Sequence, residues 1–66
     1  MEVRLKVRQY RLMRGMEQEE LAAMIDVQQP YISKIENGRT LPNIKTLCYL
    51  ARALHCGPGD LIDCRD

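Results

Sequence analysis

Apolar residues recur along this chain at helical spacing, and runs of polar and turn-forming residues cut the pattern into short segments. From about Val3 to Arg14, the positions Val3, Val7 and Tyr10 step by four and then three. That spacing predicts a first helix, with Gly15 as its C-terminal cap and Arg14 in a last turn that suits a cation. A second helix starts near Glu17 or Gln18 and carries Leu21, Ala22 and Ile25 on one face. It lacks a Ser, Thr, Asp or Asn cap, but the acids Glu17, Glu19 and Glu20 favour the positive end of the helix dipole. Asp26-Val27-Gln28 reads as a tight turn, because Asp tolerates positive φ. Pro30 then opens a third helix at its first or second position, where a missing N–H is harmless. Either Gln28 or Gln29 is its N-cap, and both cap poorly. Ile32 and Ile35 face inward, Pro30, Ser33 and Lys34 lie opposite, and Asn37-Gly38 supplies the stop.

The loop Arg39-Thr40-Leu41-Pro42 leads to Asn43, a credible cap for a fourth helix. Ile44, Leu47, Cys48, Leu50, Ala51 and Leu54 give that helix a broad apolar face ending near His55. Gly57-Pro58-Gly59 forces a turn before a short fifth helix around Asp60 to Asp63, from which Leu61 and Ile62 cover the core. The expected fold is all-α, with five helices in one domain over residues 1–66. Two of them, over about 17–37, are short helices joined by a tight turn, one face buried and one polar end free.

Composition narrows the function. A chain of 66 residues buries roughly 60% of its unfolded surface, so its core is marginal unless something helps. With three Tyr and no Phe or Trp, that core is aliphatic. No apolar run approaches the ~18 residues of a membrane span, and Met1 leads into a basic, mixed segment without a signal-peptide core. The reading is cytoplasmic, with no membrane contact. Cys48, Cys56 and Cys64 are odd in number and match neither a zinc pattern nor a disulfide framework; they read as small hydrophobes or free thiols, Cys64 being the plausible reactive one. His55 has no second His or spaced Cys to hold a metal, and no nucleophile–base pairing or phosphate-cradling Gly loop supports catalysis. The expectation is no enzyme, no metal and no cofactor.

A net charge of +1 argues weakly against a nucleic-acid partner, but the distribution is polarised. Arg4, Lys6, Arg8, Arg11 and Arg14 load the first segment, and Glu17, Glu19, Glu20 and Asp26 load the next. That is compatible with one basic surface.

The runs GMEQEELA, QPYISKIENG and LARALHCGPGDLI fall in order along the chain. In this spacing the sequence resembles the phage-repressor and Cro-type helix-turn-helix family, also called the xenobiotic-response-element family, from about Val7 to Ile62. CGPGDLI is similar to the ending of a short stand-alone subgroup. The resemblance implies a five-helix, lambda-repressor-like DNA-binding domain whose third helix enters the major groove. It places Gln28, Gln29, Pro30, Ser33 and Lys34 where members contact bases, and Gln18, Asn37 and Arg39 where members hold phosphates. The chemistry agrees, since Gln matches the adenine N6/N7 edge and Lys donates to guanine O6/N7. It also implies an ion pair between Arg11 and Glu36, linking the first helix to the end of the third. Departures from the family pattern are Glu17 and Gln28 at cap positions, Asp26 in the turn and His55 after the fourth helix. The acids around Gln18 oppose phosphate and lower the expected affinity.

Function follows as a sequence-specific regulator of transcription on double-stranded DNA, a repressor, acting as a homodimer on a palindromic operator. Leu61, Ile62 and Cys64 are the expected dimer contact. The alternative is a protein-interaction module of the same fold, holding a protein partner as an antitoxin does.

Overall fold

Two segments in which charged and apolar side chains alternate, one near each end of the chain, pair with each other in the computed structural model, which describes Met1–Asp66. They are strand β1 (Glu2–Leu5) and strand β2 (Ile62–Arg65), antiparallel, with Glu2 opposite Arg65, Val3 opposite Cys64, Arg4 opposite Asp63 and Leu5 opposite Ile62. Between them run helices α1 (Val7–Met13), α2 (Gln18–Met24), α3 (Gln29–Glu36) and α4 (Ile44–Ala53), then a 3-10 turn over Pro58–Leu61. The fold is mostly helical, but it has four α-helices and a two-stranded sheet rather than five helices.

The two corrections share a cause. Side chains alternate across a strand, so Val3 and Leu5 point to one face and Glu2 and Arg4 to the other. Val3 fits the four-residue step to Val7 by coincidence, and α1 begins only at Val7. At the other end, the segment expected as a fifth helix divides after Leu61, because Ile62-Asp63-Cys64-Arg65 has the same alternation and a partner to pair with. Each strand lacks a helical face long enough to bury. Paired, the two share a sheet face whose inner half, Leu5 and Ile62, packs on the core.

That core is aliphatic: Val7, Leu21, Ala22, Ile32, Ile35, Leu47, Leu50, Ala51, Ala53, Leu54 and Leu61. Helix α4 threads it with a narrower stripe than the sequence pattern suggests. Ile44 is 75% exposed and Cys48 is exposed, so both leave the expected apolar face. Asn43 caps α4 by accepting the Thr46 N–H at 2.8 Å. Helix α2 begins at Gln18 and closes its poor cap in another way, with the Glu17 N–H donating to the Glu20 carboxylate at 3.2 Å. Asp26 (φ 59°) and His55 (φ 56°) are the two non-glycine residues in the left-handed region, one in the turn between α2 and α3 and one just past α4. Arg14 then crosses to the exposed end of α4, its Nε donating to the Leu54 carbonyl at 2.9 Å and Nη2 to the His55 carbonyl at 3.3 Å. A cation at those last carbonyls suits the negative end of the α4 dipole. No helix is long and apolar enough to cross a membrane.

Candidate functional site

Helix α3 packs on α2 and turns Ile32 and Ile35 into the core, and this fixes which of its side chains stay outside. At about 100° per residue, Gln29, Pro30, Ser33, Lys34 and Asn37 fall within an arc of roughly 140° on the opposite side. Gln28 is the N-cap, in extended conformation (φ −84°, ψ 147°), which settles the choice between the two glutamines. Gln28, Pro30 and Lys34 are exposed, and Gln29 and Ser33 are half-buried. Past the helix end, Gly38 takes φ 72°, where a side chain would be strained, and the Arg39 N–H turns back to the Lys34 carbonyl at 2.9 Å. That turn leaves the Arg39 side chain exposed beside Asn37, whose Nδ2 donates to Ser33 Oγ at 3.3 Å. The base-facing and phosphate-facing candidates on α3 therefore form one continuous polar surface.

Behind this surface runs a chain of side-chain bonds, of which the Arg11–Glu36 pair is the expected member and the links through Gln18 are not. Arg11 donates to Glu36 through Nε at 2.7 Å and Nη2 at 3.1 Å, and to the Met16 carbonyl through Nη1 at 2.7 Å. The Arg11 and Glu36 side chains are only 8% and 2% exposed. Glu36 also accepts from Gln18 Nε2 at 3.0 Å, and Gln18 Oε1 accepts from Gln29 Nε2 at 2.6 Å. A buried carboxylate with both oxygens hydrogen-bonded is held in place, so its orientation passes outward to Gln18 and then to Gln29. Hydrogen bonding to Glu36 raises the Arg11 guanidinium above its ordinary value, against the opposing effect of burial. A raised folded value means that Arg11 contributes its stability below the unfolded pKa and loses it only as pH rises through the folded one. The pair is therefore stable against base.

Gln18 sits at a polar cleft lined also by Glu17, Glu19 and Gln29. The two carboxylates bring negative charge to the rim of this surface, the unfavourable element in an otherwise neutral-to-basic face. Because Glu36 is matched by Arg11, it adds no free negative charge behind Gln18.

The C-terminal residues lie elsewhere. Leu61 is fully buried in the core and has no surface to share with a second chain, which removes it from the expected dimer contact. Ile62 is half-buried against the same core, and Cys64 is exposed on β2. The three thiols differ in setting. Burial pushes the Cys56 thiol up, helped by the charge of Asp60 and opposed by Arg14, whereas Cys48 and Cys64 are open to solvent. With iodoacetamide near neutral pH, Cys48 and Cys64 are expected to react first and Cys56 last, because the thiolate is the nucleophile. Peptide mass spectra over a time course will read the order, and early loss of Cys56 would contradict the packing described. No three His, Cys, Asp or Glu side chains converge to hold a metal ion.

A family model described as Helix-turn-helix matches residues 7–61. Control protein C.BamHI of Bacillus amyloliquefaciens is 41% identical over 59 residues, covering 88% of this chain and 73% of that protein. Among solved structures, the restriction-modification controller protein C.AhdI from Aeromonas hydrophila superposes with a TM-score of 0.79 at 27% identity, covering 83% of each chain. The P22 c2 repressor in complex with a synthetic operator does so with a TM-score of 0.77 at 34% identity, covering 80% of each.

Proposed function

From the premise that the chain belongs to the Helix-turn-helix family, over residues 7–61, we propose that it is a sequence-specific, double-stranded-DNA-binding regulator of transcription, a repressor that reads the major groove with α3. The observation that carries this reading is the polar arc of α3, whose leading residue Gln29 is held from behind by Gln18 and Glu36. A glutamine fixed in one orientation can offer its amide donor and acceptor to an adenine edge without first losing rotamer freedom. Ser33 and Lys34 follow one turn on, with Lys34 able to donate to guanine O6/N7, while Gln28 and Pro30 line the entry to the groove. Arg39, Asn37 and the start of α2 at Gln18 hold the flanking phosphates and set the register. One short helix reads too few base pairs to find a single site, so two copies act together on a palindrome. The relatives include a repressor in complex with a synthetic operator, which supports the same mode of action here.

Selection of bound duplexes from a random pool tests this. An enriched palindrome is expected, and recovery of no preferred sequence would defeat it. On the selected site, Arg39→Ala should weaken binding to all sequences alike and flatten the slope of log K against log salt by about one unit, because one phosphate contact is lost. Titrations at several salt concentrations measure it.

A second reading, a protein-interaction module holding a protein partner, has one observation in its favour. Met24 and Tyr49, 57% and 44% exposed, share an open groove with Ile25 and Ala53 on the side of α4. If the selection fails, this groove is the surface to test next.

A further inference from the structure

The β1–β2 ribbon has one face made wholly of charged residues and one wholly of apolar ones. The register puts Glu2 with Arg65 and Arg4 with Asp63 on the charged face, and Val3 with Cys64 and Leu5 with Ile62 on the apolar face. Only half of that apolar face is covered. Leu5 and Ile62 pack on the core, while Val3, 39% exposed, and the exposed Cys64 project beyond it. The hydrogen-bond phase of the ribbon is also fixed. The Lys6 N–H donates to the Leu61 carbonyl at 2.8 Å, so Lys6 and Leu61 form a hydrogen-bonded pair, as do the alternate pairs Arg4–Asp63 and Glu2–Arg65. The backbone groups of Ile62 and Cys64 consequently point away from β1, to the free edge of β2.

We infer that this edge is where a second copy of the chain joins, β2 against β2, antiparallel about a two-fold axis at Cys64, to make a four-stranded sheet. The inference rests on the proposal above that the chain acts as a dimer, and it names the surface. Centring on Cys64 is the register that its own charges select. Asp63 then faces Arg65 of the second copy, and Arg65 faces its Asp63. Across the four strands one charged row runs Arg4, Asp63, then Arg65 and Glu2 of the second copy, alternating in sign at every step. The same register aligns Val3, Cys64 and their two counterparts in one apolar row, in side-by-side contact across the four strands. It also pairs the outward N–H and C=O of Cys64 with those of its counterpart, which is the phase that the ribbon presents. Such a contact is isologous and closes on itself.

The other edge, that of β1, has similar charges but a neighbour. Glu2 to Leu5 line a groove with Ile35, Glu36, Asn37 and Gly38 at the end of α3. A second copy seated there would crowd the end of the helix assigned to DNA. The β2 edge lies on the far side of the ribbon and leaves α3 free. Four-residue strands bury little area, so the free dimer is weak and is strengthened when both copies sit on adjacent half-sites.

Sedimentation equilibrium of the full chain over a wide concentration range, alone and with duplexes carrying one or two half-sites, provides the test. Asp63→Arg and Arg65→Asp each set like charges across the axis, so each variant alone should associate about tenfold more weakly than the parent or worse, while their mixture should recover a heterodimer. Cys64→Pro removes an outward N–H and no bond to β1, and should abolish the dimer with the helical circular dichroism unchanged; Val3→Pro, at the β1 edge, should leave the dimer intact. The inference is overturned if the parent chain is monomeric under all conditions, if the mixture fails to associate, or if dimers survive both charge variants and Cys64→Pro. It is likewise overturned if Val3→Pro rather than Cys64→Pro dissociates them. Failure of the DNA reading looks different: the charge-paired dimer forms, but no duplex sequence is preferred.

Discussion

Glu36→Ala is expected to lower folding stability by about 3–5 kcal/mol, the loss typical when one member of a buried ion pair is removed and the other stays behind. Marginal stability of about 0.05–0.15 kcal/mol per residue gives a chain this size only about 3–10 kcal/mol in total, so the variant is expected to be largely or wholly unfolded at 37 °C. The reason is geometric. Glu36 accepts two bonds from Arg11 and one from Gln18 with 2% of its side chain exposed, and its removal leaves the guanidinium holding only the Met16 carbonyl. Arg11→Ala should do comparable damage, because it strands the carboxylate. Replacing both at once with Ala should lose less than the sum of the two single variants, since neither charge is then left unmatched. Urea unfolding followed by circular dichroism measures each corner of the cycle, with a coupling of about 0.5–3 kcal/mol expected. Simple additivity would mean that the pair does not hold α1 to the end of α3 in solution.

The second large effect belongs to the reading surface. Gln29→Ala and Lys34→Ala should each weaken binding to the selected site by about 1–3 kcal/mol and relax base preference at one position, leaving binding to scrambled DNA nearly unchanged. Gln18→Ala should weaken the selected site by less than Gln29→Ala, because it frees the Gln29 amide without removing it. In a chain that already carries Gln29→Ala, the Gln18 change should cost less on the selected site than it does in the parent, the remainder being its own part in holding a phosphate. Competition titrations against selected and scrambled duplexes separate the cases. If Gln29→Ala, Lys34→Ala and Arg39→Ala all lose equally on both duplexes, α3 does not read bases.

How much of this was legible in the sequence depends on how local the cause is. Helices α2, α3 and α4 announce themselves because each has a buried stripe and a boundary residue acting within its own turn, as Asn43 and Gly38 do. Asp26 is legible for the same reason, its turn requiring positive φ whatever lies beyond it. The strands are not, since four alternating residues acquire meaning only when a matching four exist near the other end. Ile44 and Cys48 mislead because apolar character alone does not place a side chain inside; the helix offers more apolar surface than its neighbours can cover. On α3, the buried Ile32 and Ile35 fix the polar arc, so its candidates were readable as a set. Arg11 and Glu36 were named through the family resemblance. The further bonds of Gln18 to Glu36 and Gln29 were not, because they join α2 to α3 through side chains whose polarity alone suggests solvent. Arg14 at the end of α4 escapes for a like reason, because a cation in the last turn of α1 already suits the dipole of its own helix.

The pairing of β1 with β2 joins segments from opposite ends of the chain, and this gives it a place in time as well as in space. Helices and the α2–α3 turn close over short loops, whereas the ribbon must wait for a closure spanning nearly the whole sequence. Little of it is buried: Val3, Cys64 and Arg65 are exposed, and only Leu5 and Ile62 tie it to the core. It is therefore expected to assemble last and open first, with the helices still folded, which amide hydrogen exchange would read as early exchange of its inter-strand N–H groups. Any association through its edge is then linked to its closure, because a second copy binds only chains whose ribbon is already formed. If copies join at this edge as inferred above, chain concentration would set how often the ribbon is shut, and a rise in concentration would rigidify the two ends of each paired protomer before it changed anything in α3.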